Sequence, residues 1–184
     1  MENRFALEKQ NALKKEDKSH EQKWDKKIIS LCNKINSLEN YFTTSSCAGR
    51  ITLLKNTDKK IPNAFLFKTH DIITEEKVKN ILQEKLNEEI IYFRQEPCAL
   101  HVACKTIDDA IQLLKLAKQS GWKRSGIFST NKEKFICELC STEWIVTPII
   151  KNQSTEEFLQ TLIGEANKKL IRTWGKIERL ENLF

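Results

Sequence analysis

Residues 41–54 read YFTTSSCAGRITLL, and the reading of this stretch decides the fold class. Tyr41, Phe42, Thr43, Thr44, Ile51 and Thr52 supply the aromatic and β-branched side chains that suit a pleated, half-buried surface. Cys47-Ala48-Gly49 separates two such runs, so the stretch predicts a hairpin or one bent strand. Before it, residues 4–37 read as helix in one or two pieces. Phe5, Leu7, Ala12 and Leu13 give a weak apolar face, and Ile28, Leu31, Cys32 and Ile35 a clear three-four spacing. Asp17-Lys18-Ser19 favours an interruption between the pieces, because Asp and Ser prefer caps to helix interiors.

After it, NAFLFK (63–68) reads as a strand, and a helix runs from Thr74 to Asn87 with Val78, Ile81, Leu82 and Leu86 as its apolar positions. IIYFR (90–94) and LHVAC (100–104) read as strands on either side of Glu96-Pro97. Thr106 caps a helix with the face Ile107, Ala110, Ile111, Leu114 and Ala117, and Gly121 ends it. Strands follow over Trp122–Phe128, Phe135–Cys140 and Trp144–Ile149. Ser154 opens a long last helix carrying Phe158, Leu162, Ala166, Leu170, Trp174, Ile177 and Leu180 on one face. Strands and helices mix without strict alternation. That predicts an α+β fold: a single domain over 1–184 with a mainly antiparallel or mixed central sheet, helices packed on it, and long N- and C-terminal helices.

The 184 residues are 40% hydrophobic and 30% charged, enough apolar material for a core and too many charges for a membrane protein. No apolar run approaches the roughly 20 residues of a membrane span, and the charged first residues do not read as a secretory signal. A cytoplasmic protein with six reduced cysteines is the expectation. The net charge is +6, and the excess sits in two segments: five basic against two acidic residues over 41–73, and seven against three over 101–135. Such a local excess suits a phosphate-bearing partner, although a solvated lysine-rich surface would look the same. The five glycines form neither a G-x-G-x-x-G turn nor a P-loop.

Cys98, His101 and Cys104 have metal-ligand spacing, as do Cys137 and Cys140. Both sets fall on strands, where residues three apart point to opposite faces, so no metal site is expected. His101 lies between Leu100 and Val102 and points away from their face. It reads either as a hydrogen-bonded sheet histidine or as a general base, and His70 at the end of its strand has the same two readings. Residues 43–50, TTSSCAGR, gather four hydroxyls, a thiol and a glycine before a cation. They make either a structural turn or a site for phosphate, carboxylate or a sugar edge. Ser125-Gly126, after Lys123-Arg124, is a second bend of that type.

YFTTSSCAGRI (41–51) resembles the signature of the wybutosine-synthesizing methyltransferase family, the third protein of that tRNA pathway. The likeness continues in the same order along the chain. It takes in Phe67-Lys68-Thr69-His70, Phe93 to Pro97 followed by Leu100-His101-Val102-Ala103-Cys104, Ser120-Gly121-Trp122-Lys123-Arg124-Ser125-Gly126-Ile127, Ser141-Thr142 with Pro148, and Ala166-Asn167-Lys168-Lys169 with Arg179-Leu180. Phe5, Asp17, Ser19 and Asp25 also fall in place. Two positions depart: Glu21-Gln22 stands where the family usually has Lys-Gly, and Cys140 where it has Arg before Ser-Thr.

The resemblance implies methyl transfer from S-adenosylmethionine to ring N-4 of the tricyclic 4-demethylwyosine base, with or without its aminocarboxypropyl side chain. The partner it implies is tRNA-Phe, at its anticodon loop. The alternative is a tRNA-binding protein without catalysis. On this reading His101 is the first candidate base and His70 the second. Thr44, Ser45, Ser46, Arg50, Lys123 and Ser125 would hold the substrate, and Glu96, Gly126, Ser141 and Thr142 the methyl donor. Trp122, Phe93 and Tyr41 are available for stacking on the flat base, or are core.

Overall fold

The structure, a computed structural model, describes residues 4–14, 25–56, 62, 64–84, 90–130, 134–150 and 154–184. The elements run α1 (Arg4–Leu13), α2 (Ile29–Ser37), β1 (Tyr41–Cys47), β2 (Arg50–Lys55), β3 (Phe65–Thr69), α3 (Glu75–Glu84), β4 (Ile90–Glu96), β5 (Ala99–Cys104), α4 (Ile107–Gln119), β6 (Gly126–Thr130), β7 (Phe135–Cys140), β8 (Ile145–Ile150) and α5 (Glu156–Glu181). The fold is α+β with antiparallel pairing throughout the described sheets. The expected interruption at Asp17-Lys18-Ser19 lies outside the described residues.

The strands are divided between two four-stranded sheets, ordered β1-β5-β7-β6 and β3-β2-β4-β8. YFTTSSC and RITLLK are therefore neither a hairpin nor one strand, because β1 pairs with β5 and β2 with β3 and β4. Gly49 makes the change of direction with φ +91, a left-handed conformation that side chains disfavour. Two compact units result: Met1–Ala48 with Cys98–Thr142 and Trp174–Phe184, and Gly49–Pro97 with Glu143–Thr173.

In the first unit, Ile28, Leu31, Cys32 and Ile35 of the α2 segment are fully buried, as their spacing implies. They share a core with Leu100, Val102, Cys104, Cys137, Leu139, Leu113, Trp122, Ile177 and Leu180. Helix α4 begins with a capping box, in which Thr106 accepts from the Asp109 N–H while the Asp109 carboxylate accepts from the Thr106 N–H. It ends in a Schellman motif: Trp122 N–H donates to Ala117 O (2.9 Å), Gly121 N–H donates to Lys118 O (3.1 Å), and Gly121 sits at φ +89. Its buried face is Ala110, Leu113 and Ala117, whereas Ile107 and Ile111 point to solvent. Trp122 lies in this turn and β6 begins only at Gly126. On the other face of the sheet, Phe5 of α1 packs against Phe42 (ring centroids 5.2 Å apart) and Ala103.

In the second unit, Ile51, Leu53, Ile91 and Phe93 turn one sheet face inward. Val78 and Ile81 of α3 and Leu159, Leu162, Ile163, Ala166 and Leu170 of α5 are buried, while Phe158, expected on that apolar face, is exposed. Asn167 ties α5 to the start of α3 through its side chain, accepting from Ile73 N–H (3.0 Å) and donating to Ile73 O (2.8 Å).

Candidate functional site

Strand β1 carries an irregularity that decides what faces outward. Thr43 pairs with Val102 and Ser45 with His101, so Thr44 is an extra, bulged residue. Thr43 and Ser46 lie on the core side. Thr43 is buried and bonded to Asn36, and Ser46 faces the buried Cys32 thiol, opposing the rise that burial imposes on it. Ser45, alone of the two serines, shares the outer face with His101.

Register then draws a row straight across the first sheet. Ser45 pairs with His101, His101 with Glu138, and Glu138 with Gly126. These residues come from β1, β5, β7 and β6. The contacts are direct: Ser45 Oγ lies 3.0 Å from His101 Nδ1, and His101 Nε2 lies 3.3 Å from Glu138 Oε1. A carboxylate only accepts, so the proton belongs on Nε2 and the Nδ1 lone pair accepts from Ser45. Phe128, 68% exposed, stacks on the imidazole at 5.5 Å with the rings 19° apart. The His101 side chain keeps 32% of its surface open and Glu138 45%. A Cβ added to Gly126 would meet nothing within 4 Å, so the end of the row is open. A hydroxyl, an imidazole and a carboxylate in series are an arrangement through which a proton can pass, with an aromatic face beside it.

The other candidates of this unit have more local tasks. Ser125 Oγ donates to Trp122 O (2.6 Å) and accepts from Cys140 N–H (3.1 Å), fastening the bend to β7. Thr142 Oγ1 accepts from the Lys176 ammonium at 2.8 Å. Ser141 Oγ is fully buried with no hydrogen-bond partner. Lys123 is exposed. Trp122 and Tyr41 are core residues, as is Phe93 of the second unit, so none is a stacking platform.

The cysteines divide as alternation requires. Cys104 and Cys137 face the core with their sulfurs 3.8 Å apart, on the side of the sheet opposite His101. The hydrogen bond to Cys137 and burial push the Cys104 thiol far above its usual range. None of the six cysteines is in a disulfide.

In the second unit, Arg50 and Glu96 are register partners and form an ion pair through Arg50 Nε and Glu96 Oε2. The Arg50 guanidinium also lies 5.6 Å from the centre of the Phe65 ring. His70 donates from Nδ1 to Gly49 O at 2.9 Å, which holds the left-handed turn. A Cβ on Gly49 would stand 3.1 Å from Glu96 O and 3.2 Å from Leu170 and Thr173 side-chain carbons. Sequence reasoning missed Glu138 and Phe128. Glu138 sits in FICELC, an unremarkable strand, and only its register with His101 marks it.

The comparisons with known proteins agree with one another. The family model for Methyltransferase TYW3 matches residues 4–184. A Thermococcus sibiricus protein named tRNA(Phe) 7-((3-amino-3-carboxypropyl)-4-demethylwyosine(37)-N(4))-methyltransferase is 37% identical, over 98% of this chain and 94% of its own length. A Xenopus laevis tRNA wybutosine-synthesizing protein 3 homolog is 33% identical over 97% of this chain and 73% of its own. The solved structure of a Pyrococcus horikoshii protein superposes with a TM-score of 0.81 at 33% identity, covering 98% of this chain and 93% of that one.

Proposed function

The chain belongs to the Methyltransferase TYW3 family, and from that membership we propose that it methylates ring N-4 of the 4-demethylwyosine base of tRNA-Phe, with S-adenosylmethionine as donor. The family model matches residues 4–184 and so reaches both compact units, which supports reading 1–184 as one methyltransferase domain. The anticodon loop of tRNA-Phe is the partner and the cytoplasm its place of work. Among the described residues no helix is long and apolar enough to cross a membrane.

The observation that supports the catalytic part is the Ser45–His101–Glu138 row. Methylation of a ring nitrogen releases its proton, and a relay that leads to an imidazole can take it. Ser45 Oγ accepts that proton while passing its own to His101 Nδ1, and Glu138 stabilises the imidazolium through the Nε2–H. Phe128 offers the flat tricyclic base a stacking surface beside the relay. Thr44, exposed on the bulge, and Lys123, exposed ahead of β6, contact the RNA. Ser125 holds the bend ahead of β6 in place, and His70 holds the turn at Gly49. His101 is therefore the base, rather than His70.

When bound, S-adenosylmethionine supplies an electrophilic methyl group on its sulfonium. The residues present fit it: the buried Ser141 hydroxyl lacks a partner that a polar ligand would provide, and the backbone at Gly126 is open. Glu96 and Thr142 are already engaged by cations, so Ser141 and Gly126 are the first assignments. No metal takes part in this scheme. Incubating the protein with tRNA-Phe carrying the demethylwyosine base and labelled donor should add one methyl to that nucleoside by mass spectrometry. tRNA bound without any transfer of label would reject the enzyme in favour of a binding protein.

A further inference from the structure

The outer face of the second sheet carries polar groups that the relay does not use. Thr52 of β2 pairs with Lys68 of β3 on one side and Arg94 of β4 on the other, and Arg94 pairs with Val146 of β8. These four residues form a transverse row. Strand alternation puts it on the side away from Ile51, Leu53, Phe93 and Ile91, which face the core. The next row on the same side is Arg50 with Glu96.

Thr52 is fully buried, and its Oγ1 has no hydrogen-bond partner. Arg94 Nε, its neighbour across the ladder, is also buried without one. Buried polar groups in folded proteins are nearly always satisfied, so two adjacent orphans mark a place where something else completes them. Thr52 offers a hydroxyl, Arg94 a planar fork of N–H groups and Lys68 an ammonium. Every one of these donates, and a guanidinium or ammonium cannot accept. Glu96, an acid on this face, is held by Arg50. The two orphans, an O–H of Thr52 and an N–H of Arg94, therefore face an acceptor that the described residues do not supply.

We propose that Thr52 and Arg94, flanked by Lys68, form an oxyanion-binding site on the outer face of the second sheet. It takes a phosphodiester of the tRNA backbone or the carboxylate of the methyl donor. The inference rests on the reading of the chain as a tRNA methyltransferase using that donor. Both oxyanions match an O–H and a bidentate N–H fork side by side.

The test compares unchanged protein with Thr52→Val, Arg94→Gln and Arg94→Lys. Affinity for a tRNA-Phe transcript is measured across a salt series, affinity for S-adenosylmethionine by calorimetry, and thermal stability alongside. Arg94→Gln should weaken one ligand about tenfold or more, and Arg94→Lys should recover only part, since an ammonium is no planar fork. Thr52→Val should weaken the same ligand severalfold without melting earlier, because it removes a hydroxyl that the fold leaves unsatisfied. If the ligand is a phosphodiester, tRNA affinity falls and Arg94→Gln lowers the salt slope by about one charge. If it is the donor's carboxylate, only S-adenosylmethionine affinity falls. Unchanged affinity for both ligands in well-folded Thr52→Val and Arg94→Gln would overturn the site and leave the functional reading standing. Unchanged protein that binds neither ligand would overturn the functional reading, and this site with it.

Discussion

Ser45 Oγ reaches to within 3.0 Å of His101 Nδ1 because Thr44 is one residue too many in β1. Without the bulge, Thr44 would oppose His101 and Ser45 would turn toward α2. The insertion changes which hydroxyl meets the imidazole, and Glu138 then completes the series from the next strand.

If that series moves the proton, its members should differ in weight. His101→Ala should lower the rate of methyl transfer about a hundredfold to ten-thousandfold, the range for loss of a general base. Glu138→Gln should cost less, keep tRNA and donor affinity, and shift the pH–rate profile, because the amide holds the ring without stabilising its charge. Both side chains are partly open to solvent, so urea midpoints should stay near those of the unchanged protein. A Glu138→Gln enzyme with an unaltered pH profile would remove Glu138 from the relay.

Gly49→Ala should destabilise the protein by about 1–3 kcal/mol, through a left-handed backbone that disfavours a Cβ and the close approach of Glu96 O. Urea unfolding measures it. A change within experimental error would show that the turn relaxes freely.

Arg50→Ala leaves the Glu96 carboxylate, 16% exposed, without its cation and should cost about 1–2 kcal/mol. Adding Glu96→Gln should restore part of that loss. If Arg50 also anchors an anion of the substrate, tRNA affinity should fall about tenfold to a hundredfold in Arg50→Ala. The repaired double variant should then keep that binding defect. Affinity that returns together with stability would confine Arg50 to the fold.

Stability at high pH should fall within a definable window. Burial pushes the Cys32 thiol from its ordinary 9.0 up to about 11, with the Ser46 hydrogen bond opposing and Asp25 adding. Burial, with the nearby Asp109 charge, pushes the Tyr41 phenol from 10.0 up to about 12. Both groups hold their protons more firmly folded than unfolded. Their contribution is therefore whole below about pH 9 and is lost as pH rises through about 9 to 12. Tyr41→Phe should flatten the upper part of that decline in urea midpoints measured from pH 8 to 12. An identical decline in the variant would assign the loss elsewhere.

Much of the local structure was legible from residue type. Thr106 and Gly121 bracket α4 because a hydroxyl cap and a left-handed glycine act over a few residues. The spacing of Ile28, Leu31, Cys32 and Ile35 gives the buried face of α2 for the same local reason. The division into two sheets was not legible. Cys47-Ala48-Gly49 has the composition of a hairpin, and nothing near it says that Ser45 will pair with His101, far along the chain. Of the site, Ser45, His101 and Gly126 stood out in their motifs, while Glu138 and the bulge at Thr44 exist as features only once the strands are in register. Ile107 and Ile111 misled the reading of α4, because helical spacing alone does not say which of two adjoining apolar stripes is covered.

The two compact units also set an order of assembly during synthesis. The second is complete in sequence once Thr173 has been made, but the first needs Trp174–Phe184, whose Ile177 and Leu180 lie in its core and whose Lys176 carbonyl accepts from the Trp122 indole. Translation moves at about 5–20 residues per second. While Gly49–Pro97, the first part of the second unit, is being made, the strand bearing Ser45 therefore waits for β5 with its ladder edge unpaired. A chaperone that shields such edges would act on β1 before any other strand of the first sheet exists.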